Sequence, residues 1–333
     1  MGVVCVSRPF LVTLVLLAVW ITATGSLSVG QKRPLVAANV ARQAATPSPT
    51  PAPRLASRIV RQNIKSATLK RDMPFSVYLP AGYDGGTERY PVLYLLHGAG
   101  GDENDWTELA KVQDIADRLI ATGAIPPTLI AMPGLPGCWW VDGAKDKAET
   151  AFWSDLVPLV DQRYRTIKSR DGRLVAGLSA GGYGAIRFGL KYPDRISAVA
   201  ALSPAVYADA PPPLSAARNQ PPFLNAGGGF DDGLWDANNY PSLLPAYFAQ
   251  SNRVAIYLAS GDDDNLGIAY ETALLHKRLV DRQFGLTEFR ILDGGHDWTL
   301  WSSALSDAMV YVFRHASPKL SAAGTTASPV LIK

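Results

Sequence analysis

Ser179 sits in the stretch Gly177-Leu178-Ser179-Ala180-Gly181, between the apolar residues Leu174, Val175 and Ala176 and a small-residue run that leads into Ile186, Phe188 and Leu190. That reads as a strand turning sharply into a helix. The G-x-S-x-G spacing suits such a turn, because a side chain two positions either side of the serine would collide with the neighbouring strand or helix. A serine held there projects its hydroxyl at a helix N-terminus, where a base could turn it into a nucleophile for acyl transfer. The pattern alone also describes a glycine-rich turn with no chemistry, so the partners decide. Neither this turn nor His97–Glu103 ("HGAGGDE") completes G-x-G-x-x-G, and no Walker lysine follows, which sets nucleotide-binding loops aside.

A serine nucleophile needs a base, and the chain has four histidines. His97 ends the run "PVLYLLHG", His276 lies within a helix-like segment, and His315 falls in a last helical turn. His296 follows the strand-like "EFRILD" and two glycines, at the carboxyl end of the last strand, where open α/β sheets carry their functional residues. The base in turn needs an acid to orient it, and "VAIYLASGDDDN" offers Asp262, Asp263 and Asp264 after the preceding strand. A calcium loop starting at Asp262 fails, since Leu266 and Ala273 stand where oxygen ligands belong. Two backbone N–H donors must face the developing oxyanion. Ala180, directly after the serine, supplies one; the "LLHGAGG" exit supplies the other, with Ala99 the preferred residue and Gly98 shaping the turn.

These residues need a scaffold, and the strand-like runs provide it: "RIVRQNI", "FSVYLP", "PVLYLLHG", "TLIAMP", "RLVAGLS", "AVAALSP", "VAIYLASG" and "EFRILDGG". Helix-like segments such as "WSDLVPLVDQRY" and "YETALLHKRLVDRQF" separate the later ones. Early strands without helices followed by alternation describe an α/β fold with a mostly parallel sheet and an antiparallel start. Pro211 to Tyr247, rich in Pro, Gly and Asn, is long for a loop and is placed to form a lid or cap.

At 333 residues, 47% hydrophobic and 18% charged, the chain has material for a large core. A formal net charge of +3 without dense Lys/Arg blocks argues against a nucleic-acid surface. Arg8 followed by "PFLVTLVLLAVWITATG" reads as an export signal over residues 1–25, with Ala23 to Ser26 as the cleavage region. The competing reading is an uncleaved anchor, but the apolar part falls short of the roughly 20 residues that span a bilayer. Cys5 lies inside the signal, leaving Cys138 alone in a mature chain with no internal disulfide. Residues 26–56, with "AATPSPTPAP", read as a disordered linker, 57–316 as the folded domain, and 317–333 as a disordered tail.

The chain order Ser, Asp, His is that of the α/β-hydrolases, and "YPVLYLLHGAGGDENDW", "LIAMPG", "GLSAGGYGA", "ASGDDDN" and "DGGHDWTLW" resemble their esterase-D-like branch. That branch includes feruloyl and acetyl-xylan esterases, enterochelin esterases, S-formylglutathione hydrolases and mycolyltransferases, and the resemblance covers about Arg58 to Arg314. It implies a serine esterase in which Ser179 is the nucleophile, His296 the base and Asp264, three residues after Gly261, the acid, with Asp262 the runner-up. Such an enzyme needs no metal or organic cofactor and acts on a small-molecule or polysaccharide-linked ester. The "GCWWVDG" segment falls where members line the substrate pocket, which makes Trp139 and Trp140 candidate contacts. His296, Trp298 and Trp301 repeat the His-x-Trp-x-x-Trp pattern of mycolyltransferases, which adds Trp298 to the candidates. Mycolyltransferases use a glutamate where Asp264 stands, and S-formylglutathione hydrolases are usually cytosolic, against the export signal. Two further readings are an acyltransferase to a sugar or lipid hydroxyl, and a non-catalytic carbohydrate- or cell-wall-binding protein on the same fold. The presence of all three side chains weighs against the second.

Overall fold

Five short apolar runs have no polar side to offer water, and they form the centre of the sheet: β3 (Val92–Leu96), β4 (Leu129–Pro133), β5 (Arg173–Leu178), β6 (Ala198–Leu202) and β7 (Ala255–Gly261) are buried along their whole length. Strands covered on both faces need such continuous apolar sequence. The computed structural model describes residues 56–316 except 136 and 145. The signal expected at 1–25, almost all of the linker expected at 26–56, and the tail expected at 317–333 lie outside these residues. The polar β1 (Arg58–Ser66) and the half-open β8 (Thr287–Leu292) take the two edges, and β2 (Arg71–Leu79) lies inside β1. The order is β1-β2-β4-β3-β5-β6-β7-β8. β1–β2 and β2–β4 pair antiparallel, and every pair from β4 to β8 is parallel. This is the α/β-hydrolase fold with its antiparallel start.

Helices α1 (Asp105–Glu108) and α2 (Val112–Ala121) follow β3, and α9 (Trp298–His315) follows β8. Their apolar faces cover one side of the sheet through Trp106, Leu119, Leu305 and Met309. The other side is covered by α3 (Ala148–Ala151), α4 (Val157–Arg163), α5 (Ala180–Lys191), α7 (Tyr240–Ala249) and α8 (Ile268–Val280), with α6 (Asp232–Asn238) just ahead of α7. The helix read over "WSDLVPLVDQRY" continues from α3 through a π-helical turn, Phe152–Leu156, into α4, and Pro158 sits just past that turn, where it has no N–H to donate to the helical ladder. Pro211 to Tyr247 folds into two short 3-10 turns followed by α6 and most of α7. Among the described residues no helix is long and apolar enough to cross a membrane.

Candidate active site

The turn from β5 into α5 holds Ser179 at φ 50°, ψ −116°, a conformation costly for a residue with a side chain. Three backbone hydrogen bonds keep it there. Ser179 N–H donates to the Leu202 carbonyl at 2.9 Å, and its own carbonyl accepts from Tyr183 N–H at 2.9 Å and Ala205 N–H at 3.1 Å. The flanking glycines are required by contact: a Cβ on Gly177 would lie 2.4 Å from the Gly181 carbonyl, and one on Gly181 would lie 2.4 Å from the Leu96 carbonyl. α5 can therefore start against the ends of β3 and β5.

The loops after β7 and β8 are fastened to each other. Asp262 N–H donates to the Leu292 carbonyl and Asp263 N–H to the Gly294 carbonyl, both at 3.0 Å, and Asp262 Oδ1 accepts from Gly294 N–H at 3.1 Å. A Cβ on Gly261 would meet the Gly294 oxygen at 2.0 Å, so the close approach depends on glycine there. Of the three aspartates Asp264 alone is buried; its Oδ1 accepts from Leu266 N–H at 3.0 Å. His296 Nδ1 lies 2.7 Å from Asp264 Oδ2, and His296 Nε2 lies 3.0 Å from Ser179 Oγ. The carboxylate fixes the proton on Nδ1, which leaves Nε2 free to accept from the serine hydroxyl. Behind the ring Trp301 packs edge-on, centroids 5.0 Å apart, and is itself held by its Nε1–H donating to Ser203 Oγ at 3.1 Å. Asp297 caps α9 by accepting from the N–H groups of Thr299 and Leu300, which sets the direction in which the loop leaves His296.

Ser179 and His296 open into a cleft of about 500 Å³. Ala99 and Gly98 line it from the β3 exit, while Ala180 opens α5, where a helix leaves its first N–H groups without intrahelical acceptors. The β3 exit is positioned by His97. Its Nδ1–H donates to the Gly98 carbonyl at 2.7 Å, and its Nε2 accepts from Leu135 N–H at 3.0 Å, tying the loops after β3 and β4 together. Burial pushes the His97 imidazole down to about 4, so it stays neutral and serves as a brace. Nothing in the sequence distinguishes this brace from a histidine at a strand end.

Trp139 and Trp298 both line the cleft. Trp140 requires a correction: Trp139, though almost fully buried, borders the cleft, and Trp140 does not. With φ 57° it turns into the core, its ring 5.0 Å from His97 and against Gly184, and its Nε1–H donates to the His97 carbonyl at 3.3 Å. It supports the β3 exit and is no substrate contact. Cleft residues that the sequence left unmarked include Asp105, at the start of the short α1, and Tyr207, Leu214, Ser215 and Leu266, brought in by loops without periodic signal. Among the described residues, Asp262, Asp263 and Asp293 form a trio of carboxylates near enough to share an ion, but they are exposed, and exposed acidic groups commonly cluster without one.

Residues 66–312 match the Esterase family, and the chain belongs to that family, an α/β-hydrolase of its esterase branch. Among its relatives is an endo-1,4-beta-xylanase/feruloyl esterase of Xylanibacter ruminicola, 35% identical over 141 residues, which is 40% of this chain but 19% of that protein. The chain thus spans about a fifth of that relative's length. An acetyl esterase of Caldicellulosiruptor saccharolyticus is 24% identical over 76% of this chain and 97% of its own. A solved ferulic acid esterase superposes with a TM-score of 0.62 at 28% identity, covering 78% of this chain and 99% of the other.

Proposed function

We propose that this protein is an exported serine esterase that hydrolyses carboxylic esters through an acyl-enzyme. Ser179 Oγ attacks the ester carbonyl while His296 Nε2 takes its proton, and Asp264 holds the imidazolium that forms. The N–H groups of Ala99 and Ala180 bind the oxyanion of the tetrahedral intermediate. Collapse of that intermediate breaks the bond to the alcohol oxygen, which leaves with the proton from His296. Water then repeats the sequence on the acyl-enzyme and releases the acid. Trp139 and Trp298 contact the substrate. The observation that carries this reading is the single row from Ser179 Oγ through His296 to Asp264, with steps of 3.0 and 2.7 Å, at the floor of a cleft. The feruloyl and acetyl esterase relatives support acyl groups of those kinds on a saccharide. Export rests on the basic and apolar run from Arg8 to Ser26.

The test is a fluorophosphonate probe with peptide mapping, alongside hydrolysis of p-nitrophenyl acetate. Label on Ser179 and loss of turnover in a folded Ser179→Ala variant are expected; wild-type turnover in that variant would overturn the mechanism. With water as acceptor, millimolar glycerol or trehalose leaves acid release unchanged. A transferase holds its acceptor at high effective molarity, so mass spectrometry finding most of the acyl group on the added alcohol would replace hydrolysis by transfer.

A further inference from the structure

The alcohol half of an ester departs past the group that protonates it, so in the reading above it leaves along the His296 side of the cleft. From His296 a row of edge-to-face rings begins along that side with Trp301 at 5.0 Å and Trp298 at 5.3 Å from Trp301, and turns into the core at the buried Trp106, 5.3 Å from Trp298. The residue before Trp106 is Asp105, which lines the cleft. Its carboxylate folds over the β3–α1 turn that also carries Ala99, since Oδ2 lies where a Cβ on Gly101 would be 2.1 Å away. The groups acting on it are burial, the carboxylates of Asp102, Glu103 and Glu108, and the backbone N–H of Asp102; burial first, then Asp102, raise its pKa above the ordinary range, and no cation is among them. A carboxylate has about four acceptor positions, and one backbone N–H leaves most of them open. A half-buried acid with no cation partner, facing a cleft, is poorly solvated and gains from a hydroxyl donor.

We infer that Asp105 is a specificity-determining residue for the alcohol half of the substrate, accepting hydrogen bonds from the hydroxyls of a neutral polyol such as a sugar, whose C–H face rests on Trp298. The inference depends on the Ser179–His296 mechanism for the side on which the alcohol leaves. A site built to hydrogen-bond a substrate hydroxyl discriminates strongly against an analogue that lacks it, so the effect belongs to selectivity between esters with the same acyl group.

The experiment compares kcat/KM for acetylated methyl xyloside and for ethyl acetate in the wild type, Asp105→Ala and Asp105→Asn. Asp105→Ala should lower the sugar-to-ethyl ratio about tenfold, the size of one charge-assisted hydrogen bond. Asp105→Asn keeps an acceptor oxygen and should recover part of that ratio. An unchanged ratio, including one in which both rates fall together through structural damage, overturns the inference. So does a wild-type preference for acetylcholine over the sugar ester that disappears in Asp105→Asn, which would make the site one for cations. Loss of labelling at Ser179 reports separately on the underlying mechanism.

Discussion

The two walls of the cleft come from opposite faces of the sheet and are made differently. The wall on the α5 side is built on an aromatic cluster, with Trp139 packed against Tyr183 at 5.6 Å, Phe223 at 5.8 Å and Trp235 at 6.4 Å, and with Tyr207 beside it. The wall on the α9 side carries Trp298 together with two carboxylates, Asp105 and Asp297. A closely packed aromatic wall selects by shape, because its rings have no room to adjust. A wall of carboxylates beside water selects by hydrogen bonding and charge. Between them runs the row Ser179–His296–Asp264, which belongs to neither wall. On the proposed mechanism the alcohol leaves on the α9 side, so an ester placed across this row would meet polar selection on its alcohol side and shape selection on its acyl side.

The largest expected effect is therefore one that ignores the walls. Asp264→Asn removes control of the His296 tautomer and the stabilisation of its cation, and kcat should fall by about 10⁴. The fall should be the same for every ester, since the row is common to all of them. Asp262→Asn, which disturbs only a loop hydrogen bond, should cost far less. Steady-state kinetics on three esters differing in each half decide it, and a loss that depends on the ester would show that the row and the walls are not separable.

What the sequence made legible follows the same division. Ser179 is marked by glycines that close contact demands, and His296 and the aspartates are marked by lying just after strands that periodicity locates. Asp264 is separable from Asp262 and Asp263 only through the family resemblance or through burial, because three consecutive aspartates carry no pattern of their own. The walls are barely legible. Trp139 and Trp140 are adjacent and chemically identical, both are buried, and yet only Trp139 borders the cleft, since Trp140 takes a left-handed conformation that no local residue signals. Leu214 and Ser215 reach the cleft from a Pro/Gly-rich segment, and their position depends on long-range packing. The five central strands could be read because burial on both faces imposes unbroken apolar sequence, while the edge strands β1 and β8 carry polar residues and are marked by apolar residues among them.

The α5-side wall has a buried charge behind it. Glu149 accepts from Arg187 at 2.7 Å and also contacts Lys191 and Tyr192, while Arg187 and Tyr183 both donate to the Asn238 carbonyl, tying α5 to the end of α6. Burial pushes the Glu149 carboxyl up, but Arg187, Lys191 and Tyr192 outweigh it and hold it below the ordinary glutamate range. A depressed folded pKa gives stability that is present above the unfolded value and lost as pH falls through the folded one. Glu149→Ala leaves Arg187 without its counter-charge and should cost about 3–5 kcal/mol near pH 7. The difference in thermal melting between variant and wild type should narrow as the pH is lowered past the ordinary glutamate range. An unchanged difference would show that the cluster is held by packing alone.

Shape selection on the acyl side is sharpened by Trp139→Phe, which shortens the wall without removing its aromatic contacts. Room gained there should raise the hexanoate-to-acetate ratio of kcat/KM about tenfold, the range seen when a pocket gains or loses one or two methylenes. The sugar-to-ethyl ratio at constant acyl group should stay where it is. Equal movement of both ratios would erase the distinction between the walls.

The smallest effect concerns charge on the alcohol side. Asp105 and Asp297 line the cleft on the side where the proposed mechanism sends the alcohol, and Asp262, Asp263 and Asp293 form an exposed carboxylate cluster after β7 and β8. A leaving group that carries its own carboxylate approaches against this field, but Asp262, Asp263, Asp293 and Asp297 are open to water and Asp105 is only half-buried, so the repulsion is largely screened. The matched pair 4-acetoxybenzoate and 4-acetoxybenzamide differs in that one charge and keeps the same acyl group and ring. Asp105→Asn removes one negative charge at nearly constant shape, so the benzoate-to-benzamide ratio of kcat/KM should rise about threefold at low ionic strength, as expected for one screened charge. The gain should shrink toward nothing by 1 M salt, where the screening length falls to about 3 Å. A ratio that rises and stays raised in salt would assign Asp105 a steric effect, and a ratio that does not rise would leave the alcohol-side wall polar without being selective for charge.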